Sequence, residues 1–431
     1  MSYRLTKLSN GATILTVPQP EALSVSVMAL ANAGAKNEDE KISGISHFLE
    51  HMGFKGTERR PRSIDLSSEL DTLGANYNAF TCHDSTAYYV TVIPDKAEKA
   101  VDLLADIYLH STLAKEELEK ERGVIIEEIK LYEDQPMSFV WEVFSKLAYA
   151  GTRAGQLVIG NRGVISTLTS EDLLTYRSKH YTAEATTIIA VGNFDEGEMI
   201  ELLSAKFSSL LAGAKGSYSI VTNDQTEPRV EFFKRPIEQS HFVLGFKSVN
   251  LSDDRAHAFA VLATVLGGGM SSRLWQKVRE ELGATYYLKT SQESSLGHGF
   301  LFVQSGVDSP RLKLVIETIL AEIKKIKAEL IPTEELNRVK DYLIGNLFLG
   351  LETPSAQTYF YGEQVLVGKE ILSPQQLAEK IRAITAEELK ALANEIFQPN
   401  RLNLAIIGPD CPIEEIKSII NPIEYSENSI G

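Results

Sequence analysis

The chain has 431 residues, too many for one ordinary hydrophobic core, so two or three domains are expected. Hydrophobic residues make up 43% and charged residues 23%, the composition of a soluble globular protein, and a net charge of −15 argues against a general nucleic-acid binder. The acidity gives weak long-range attraction for cationic polypeptides, and it serves solubility equally well.

In chain order, Arg4 to Leu8 reads as a strand and Ser9-Asn10-Gly11 as a turn. Thr13 to Val17 and Ala22 to Ala31 read as further strands. A helix follows that ends near Gly56. Ile64 to Leu73 has helical character and leads through Gly74 into one strand from Asn78 to Ile93. Ala97 to Tyr108 and a long segment from about Lys115 to Tyr132 have helical spacing. The opening residues go straight into strand and turn chemistry without a charged, then apolar, leader, and no run of eighteen apolar residues is present. Only Cys82 and Cys411 occur, which excludes a disulfide framework and a thiolate metal site. A bacterial cytoplasm and no membrane partner are expected.

The helix before Gly56 carries His47-Phe48-Leu49-Glu50-His51. Residues three and four apart on a helix are neighbours, so His47, Glu50 and His51 project together while Phe48, Leu49 and Met52 cover other faces. Two imidazoles can hold Zn²⁺ and leave room for a third protein ligand and a water, the arrangement of a catalytic site. Glu50 between them could take a proton from that water, which gives metal-assisted hydrolysis.

Self-comparison reveals a duplication. Leu73-Gly74-Ala75-x-Tyr77 recurs as Leu282-Gly283-Ala284-x-Tyr286, and Glu116-Glu117-Leu118 as Glu334-Glu335-Leu336. Thr169-x-Glu171-Asp172-Leu173 recurs as Thr385-x-Glu387-Glu388-Leu389, and the apolar run ending at Gly192 matches the one ending at Gly408. The order is conserved and the offsets, from 209 to 218 residues, nearly constant. Two homologous α+β domains of about 210 residues are expected, each an antiparallel sheet backed by helices, over 1–212 and 227–431 with a linker at 213–226.

The missing ligand is sought on the long helix, where Glu121 and Glu128 share a face and Glu127 points about 100° away. Spacing alone leaves Glu127 and Glu128 open. The second copy places Val339 and Asn346 where the first has Glu121 and Glu128, and it has no H-x-x-E-H. One copy holds both parts of a site and the other neither.

Taken together, His47 to His51 with Phe54-Lys55-Gly56-Thr57, Asn78-Ala79-Phe80-Thr81, and Glu121-Arg122-Gly123-Val124-Ile125-Ile126-Glu127-Glu128 resemble the consecutive blocks of the pitrilysin-type zinc peptidases, the inverzincins. The resemblance implies a zinc endopeptidase or oligopeptidase acting on peptides, with Glu50 as general base, His47, His51 and Glu128 as metal ligands and Glu121 as an acidic neighbour. It also implies that Arg279 and Tyr286 approach the scissile region from the half without metal. A guanidinium can hold substrate oxygens and a phenol can donate to a developing oxyanion. On the residues alone Arg279 reads as a surface cation and Tyr286 as a half-buried strand aromatic. Asn78 and Ala79 are expected on an edge strand that pairs with an extended peptide. The chain is half the length of fused family members, so it is expected to form half of a clamshell and to work as a homodimer, or as a heterodimer with a homologous subunit; the alternative reading makes it the non-catalytic partner subunit of a heterodimeric processing peptidase. Gly267-Gly268-Gly269-Met270 lacks the Gly-Lys-Ser/Thr ending of a phosphate loop and reads as a turn.

Overall fold

The computed structural model describes residues 3–216 and 220–420, so Ser217 to Ser219 of the expected linker lie outside the described residues. One sheet contains β1 (Arg4–Lys7), β2 (Thr13–Pro18), β3 (Val25–Ala31), β4 (Asn76–Thr81), β5 (Thr86–Val92) and β6 (Thr186–Gly192), in the spatial order β1-β2-β6-β3-β5-β4. The other contains β7 (Arg229–Lys234), β8 (Gln239–Lys247), β9 (Thr285–Ser294), β10 (Gly299–Asp308) and β11 (Leu402–Gly408), in the order β7-β11-β8-β10-β9. Without β1 the two orders are the same, and the α+β class and the duplication are borne out.

The repeated residues sit at equivalent structural points. Gly74 and Gly283 both adopt positive φ, +62° and +57°, at the turns into β4 and β9, a conformation in which a Cβ is strained. Thr169 and Thr385 both cap helices, accepting from Asp172 N and Glu388 N. Gly192 and Gly408 end β6 and β11.

Three sequence expectations need correction. The sheets are mixed, because β2 pairs with β6 and β7 with β11 in parallel. The last strand of each copy returns after a long helical excursion, the connection that a parallel neighbour requires. The single strand expected over 78–93 is a hairpin, β4 and β5, broken at Cys82–Ser85, where Cys82 N–H donates to Ser85 O at 2.9 Å. The helix expected to end near Gly56 ends at Met52 with Gly53 as its cap, and the φ of +128° at Gly56 belongs to the loop beyond.

Two compact units emerge, neither a single stretch of chain. Unit 1 comprises residues 1–130, 156–218 and 348–373, and unit 2 comprises 131–155, 219–347 and 374–431. In unit 1, alternate residues of β3 serve two layers. Val25, Val27, Ala29 and Ala31 join the core with Phe48, Leu49 and Met52. Met28 and Leu30 face the helix Pro354–Val367, beside its Gly362. In unit 2, the helix Pro136–Ala148 covers β7, β8 and β11, with Val140 and Phe144 packed among Val243, Phe300, Phe302 and Ala405. The opposite core of unit 2 gathers Phe242, Leu244 and Phe246 against the apolar helix Ala256–Gly267.

Candidate metal centre

The helix Ile45–Met52 buries Ile45, Ser46, Phe48, Leu49 and Met52. At eight residues it is too short to persist alone, so tertiary contacts fix its ends. The buried Glu38 carboxylate accepts from Gly44 N at 2.6 Å and Ser46 N at 2.9 Å, satisfying orphan donors at the N-terminus. At the other end Ser111 Oγ donates to Met52 O at 2.9 Å and the Tyr88 hydroxyl to Leu49 O at 3.3 Å.

With the helix held this way, His47 Nε2 and His51 Nε2 stand 3.2 Å apart. The helix Lys115–Asp134 brings Glu128 Oε2 to 3.8 Å from His47 Nε2 and 3.6 Å from His51 Nε2. A tetrahedral zinc ion with bonds of about 2.0–2.2 Å spaces its ligand atoms roughly 3.3–3.6 Å apart, so this donor set fits a divalent cation at its centre. Glu128 Oε2 is buried and has no hydrogen-bond partner among the described residues, as a carboxylate facing a metal position requires. Among the described residues His47, His51 and Glu128 form the one group of three such side chains within 4.8 Å of one another. Glu127 instead faces solvent and pairs with Lys130, so of the two carboxylates that spacing left open it is Glu128 that lies beside the imidazoles.

A relay supports the ligands. His51 Nδ1 meets Glu121 Oε1 at 2.9 Å, and Lys55 Nζ lies 2.6 Å from Glu121 Oε2. This contact assigns the Nδ1 proton of His51 to the Glu121 side and leaves Nε2 free to coordinate. Burial raises the Glu121 carboxyl, but the bonds to His51 and Lys55 outweigh it and hold the group below the usual glutamate range. Burial and the adjacent His51 push His47 down to about 3, so it is neutral at physiological pH, as a ligand must be. For His51, burial is opposed and overcome by the hydrogen bond to Glu121 and the surrounding carboxylates, which raise it. Burial also raises Glu50, against the Thr81 hydroxyl that donates to its Oε2 at 2.6 Å. Lys55 lies in the loop beyond the helix end at Met52, and Thr81 and Glu38 lie on other segments, so helical spacing announces none of the three.

Asn78 and Ala79 lie on β4, which among the described residues pairs only with β5 and stands at the edge of its sheet. Asn78 is exposed, whereas the Ala79 side chain is buried against the core. In unit 2 a π-helical turn, Trp275–Glu281, carries Arg279, whose Nη1 donates to Thr285 O at 2.6 Å. The Arg279 guanidinium lies 4.8 Å from the centre of the Tyr286 ring, and Tyr286 is 80% exposed. The sequence-chosen pair is therefore brought together on one surface of unit 2.

A duplicated α+β chain with a His₂Glu set in one copy defines the class of metallopeptidase-like proteins. The model of the Insulinase (Peptidase family M16) domain matches residues 13–162, and that of the Peptidase M16 inactive domain matches residues 167–343. A protein of Rickettsia bellii named an uncharacterized zinc protease is 32% identical over 95% of this chain and 98% of its own length. The uncharacterized zinc protease YmxG of Bacillus subtilis is 33% identical over 93% of this chain and 97% of its own. The chain belongs to the pitrilysin-type peptidase family M16. Among solved structures, a protease from Helicobacter pylori matches with a TM-score of 0.88 at 22% identity, over 95% of this chain and 99% of that one, a likeness of fold.

Proposed function

We propose that the protein is a zinc-dependent endopeptidase or oligopeptidase that hydrolyses peptides or unfolded polypeptides. The observation that carries this reading is the convergence of His47 Nε2, His51 Nε2 and Glu128 Oε2 beside the Glu50 carboxylate on the same helix. When bound by these three residues, Zn²⁺ supplies Lewis acidity, making water a stronger acid and polarising a carbonyl oxygen. Glu50 takes the proton of the attacking water and passes it to the departing amine nitrogen as the C–N bond breaks. Glu121 orients His51, and Lys55 balances the charge of Glu121. The sheet edge at Asn78 and Ala79 offers backbone donors and acceptors to an extended peptide, which gives recognition tolerant of sequence.

In this reading two chains form the working enzyme, and Arg279 and Tyr286 act on the metal centre of the partner. Their mutual stacking and the exposure of Tyr286 support a pair that donates to substrate oxygens rather than one that holds its own unit together. Coexpressed Glu50→Gln and Tyr286→Phe chains regain activity in mixed dimers if this is so; no recovery rules out action across chains. The primary test is cleavage of a quenched peptide panel by wild-type and Glu50→Gln protein, with zinc quantified in both. Zinc in both and cleavage by the wild type alone is the expected result, and a zinc-loaded wild-type chain without hydrolysis overturns the reading.

A further inference from the structure

We infer that Thr81 is a positioning residue for Glu50, an inference that rests on the peptidase reading above. The Thr81 hydroxyl donates to Glu50 Oε2 at 2.6 Å. Its one proton is thereby committed to one carboxylate oxygen, leaving Oε1 as the oxygen that accepts a proton from water and returns it to the leaving amine. A free glutamate side chain rotates through several rotamers, and this bond selects one of them.

The local fold makes Thr81 a rigid support. It is the last residue of β4 and pairs with Thr86 across the hairpin. The turn beyond it is tied to a neighbouring segment, because Ala35 N donates to Cys82 O at 3.2 Å and Lys36 N to His83 O at 2.9 Å. Gly34 passes so close that a Cβ there would collide with the Cys82 carbonyl oxygen. On the opposite face of β4, Phe80 stacks on Tyr359 with ring centres 5.2 Å apart. The segment that pins the hairpin ends in Glu38, which caps the helix carrying Glu50. One short stretch, Gly34 to Glu38, therefore sets the hydroxyl and the carboxylate in register. Because Thr81 terminates the strand whose edge receives the peptide, substrate placement and orientation of the base share a single β-strand.

The test compares Thr81→Val, which keeps the shape and removes the donor, with Thr81→Ser, which keeps the donor, alongside wild type and Glu50→Gln. Each is assayed for kcat and KM on one peptide, for bound zinc, and for thermal unfolding. Thr81→Val is expected to lower kcat about ten- to a hundredfold with KM and zinc content unchanged, and Thr81→Ser to restore most of it. Equal kcat in Thr81→Val and wild type overturns the inference. So does a Thr81→Ser chain as impaired as Thr81→Val, or loss of zinc or folding in both, which would make Thr81 a structural residue. If wild type and Glu50→Gln behave alike, it is the peptidase reading that fails, and the pattern among the Thr81 variants is not needed to see it.

Discussion

Units 1 and 2 share a strand order and differ in chemistry. After β3 the first unit places a short helix with two imidazoles and three buried tethers at its ends, Glu38, Ser111 and Tyr88; after β8 the second places Ala256–Gly267, a helix buried almost along its whole length. On the long helix of each copy, Glu121 and Glu128 stand where the second copy has Val339, which is buried, and Asn346, which bonds to its own helix at Tyr342 O. A duplicated scaffold tolerates this divergence because the sheet and its capping threonines hold the architecture, whereas the metal site depends on a few polar contacts specific to one copy. Unit 2 keeps instead a half-buried arginine on a π-helical turn, stacked on the exposed Tyr286 of β9, and the matching α-helix Ser63–Thr72 of unit 1 lacks that turn.

The largest expected effect comes from removing that chemistry. Glu128→Ala should abolish stoichiometric zinc and all cleavage, whereas Asn346→Ala at the matching place in unit 2 should change neither, as read by metal analysis and peptide assay. Next, Glu121→Gln should weaken zinc binding by about 10–100-fold, measured by competition with a chelator, since it withdraws the carboxylate that orients His51. Tyr286→Phe should lower kcat by about 10–100-fold and leave zinc affinity untouched, which would separate the roles of the two units.

A pH experiment probes the tether particular to unit 1. Burial raises Glu38 to about 7, against the two backbone hydrogen bonds that oppose the shift. The folded state therefore holds a proton that the unfolded chain, near 4.5, releases. Stability from this group is complete below pH 4.5 and is lost as pH rises to about 7, a change of about 3 kcal/mol in urea unfolding of the chain. Glu38→Gln should flatten that dependence. The smallest effect tests likeness rather than difference: Thr169→Ala and Thr385→Ala should each cost about 1 kcal/mol, because both threonines cap equivalent helices. Unequal costs would show that the copies have diverged in stability as well as in chemistry.

Much of this is legible in the sequence alone. The H-x-x-E-H spacing, the two-turn separation of Glu121 and Glu128, and the recurrence of Leu-Gly-Ala and of the capping threonines all act through local periodicity, which a sequence displays directly. The hairpin break at Cys82–Ser85 carries only the weaker turn formers Asp84 and Ser85, without glycine or proline, and β-rich runs flank it on both sides, so the two strands read as one. The parallel pairings, the Thr81–Glu50 bond and the Glu38 tether join residues remote in sequence or unremarkable in type, and no local pattern announces them. The fate of Glu127 and Glu128 turned on which carboxylate the tertiary fold aims at the imidazoles.

The helix Pro354–Val367 has a consequence for biosynthesis. It covers Met28, Leu30 and Ile189, yet it is made long after them. A nascent chain that has emerged only through its first sheet thus presents an uncovered apolar layer, and its zinc-bearing unit is completed only when residues beyond 350 leave the ribosome.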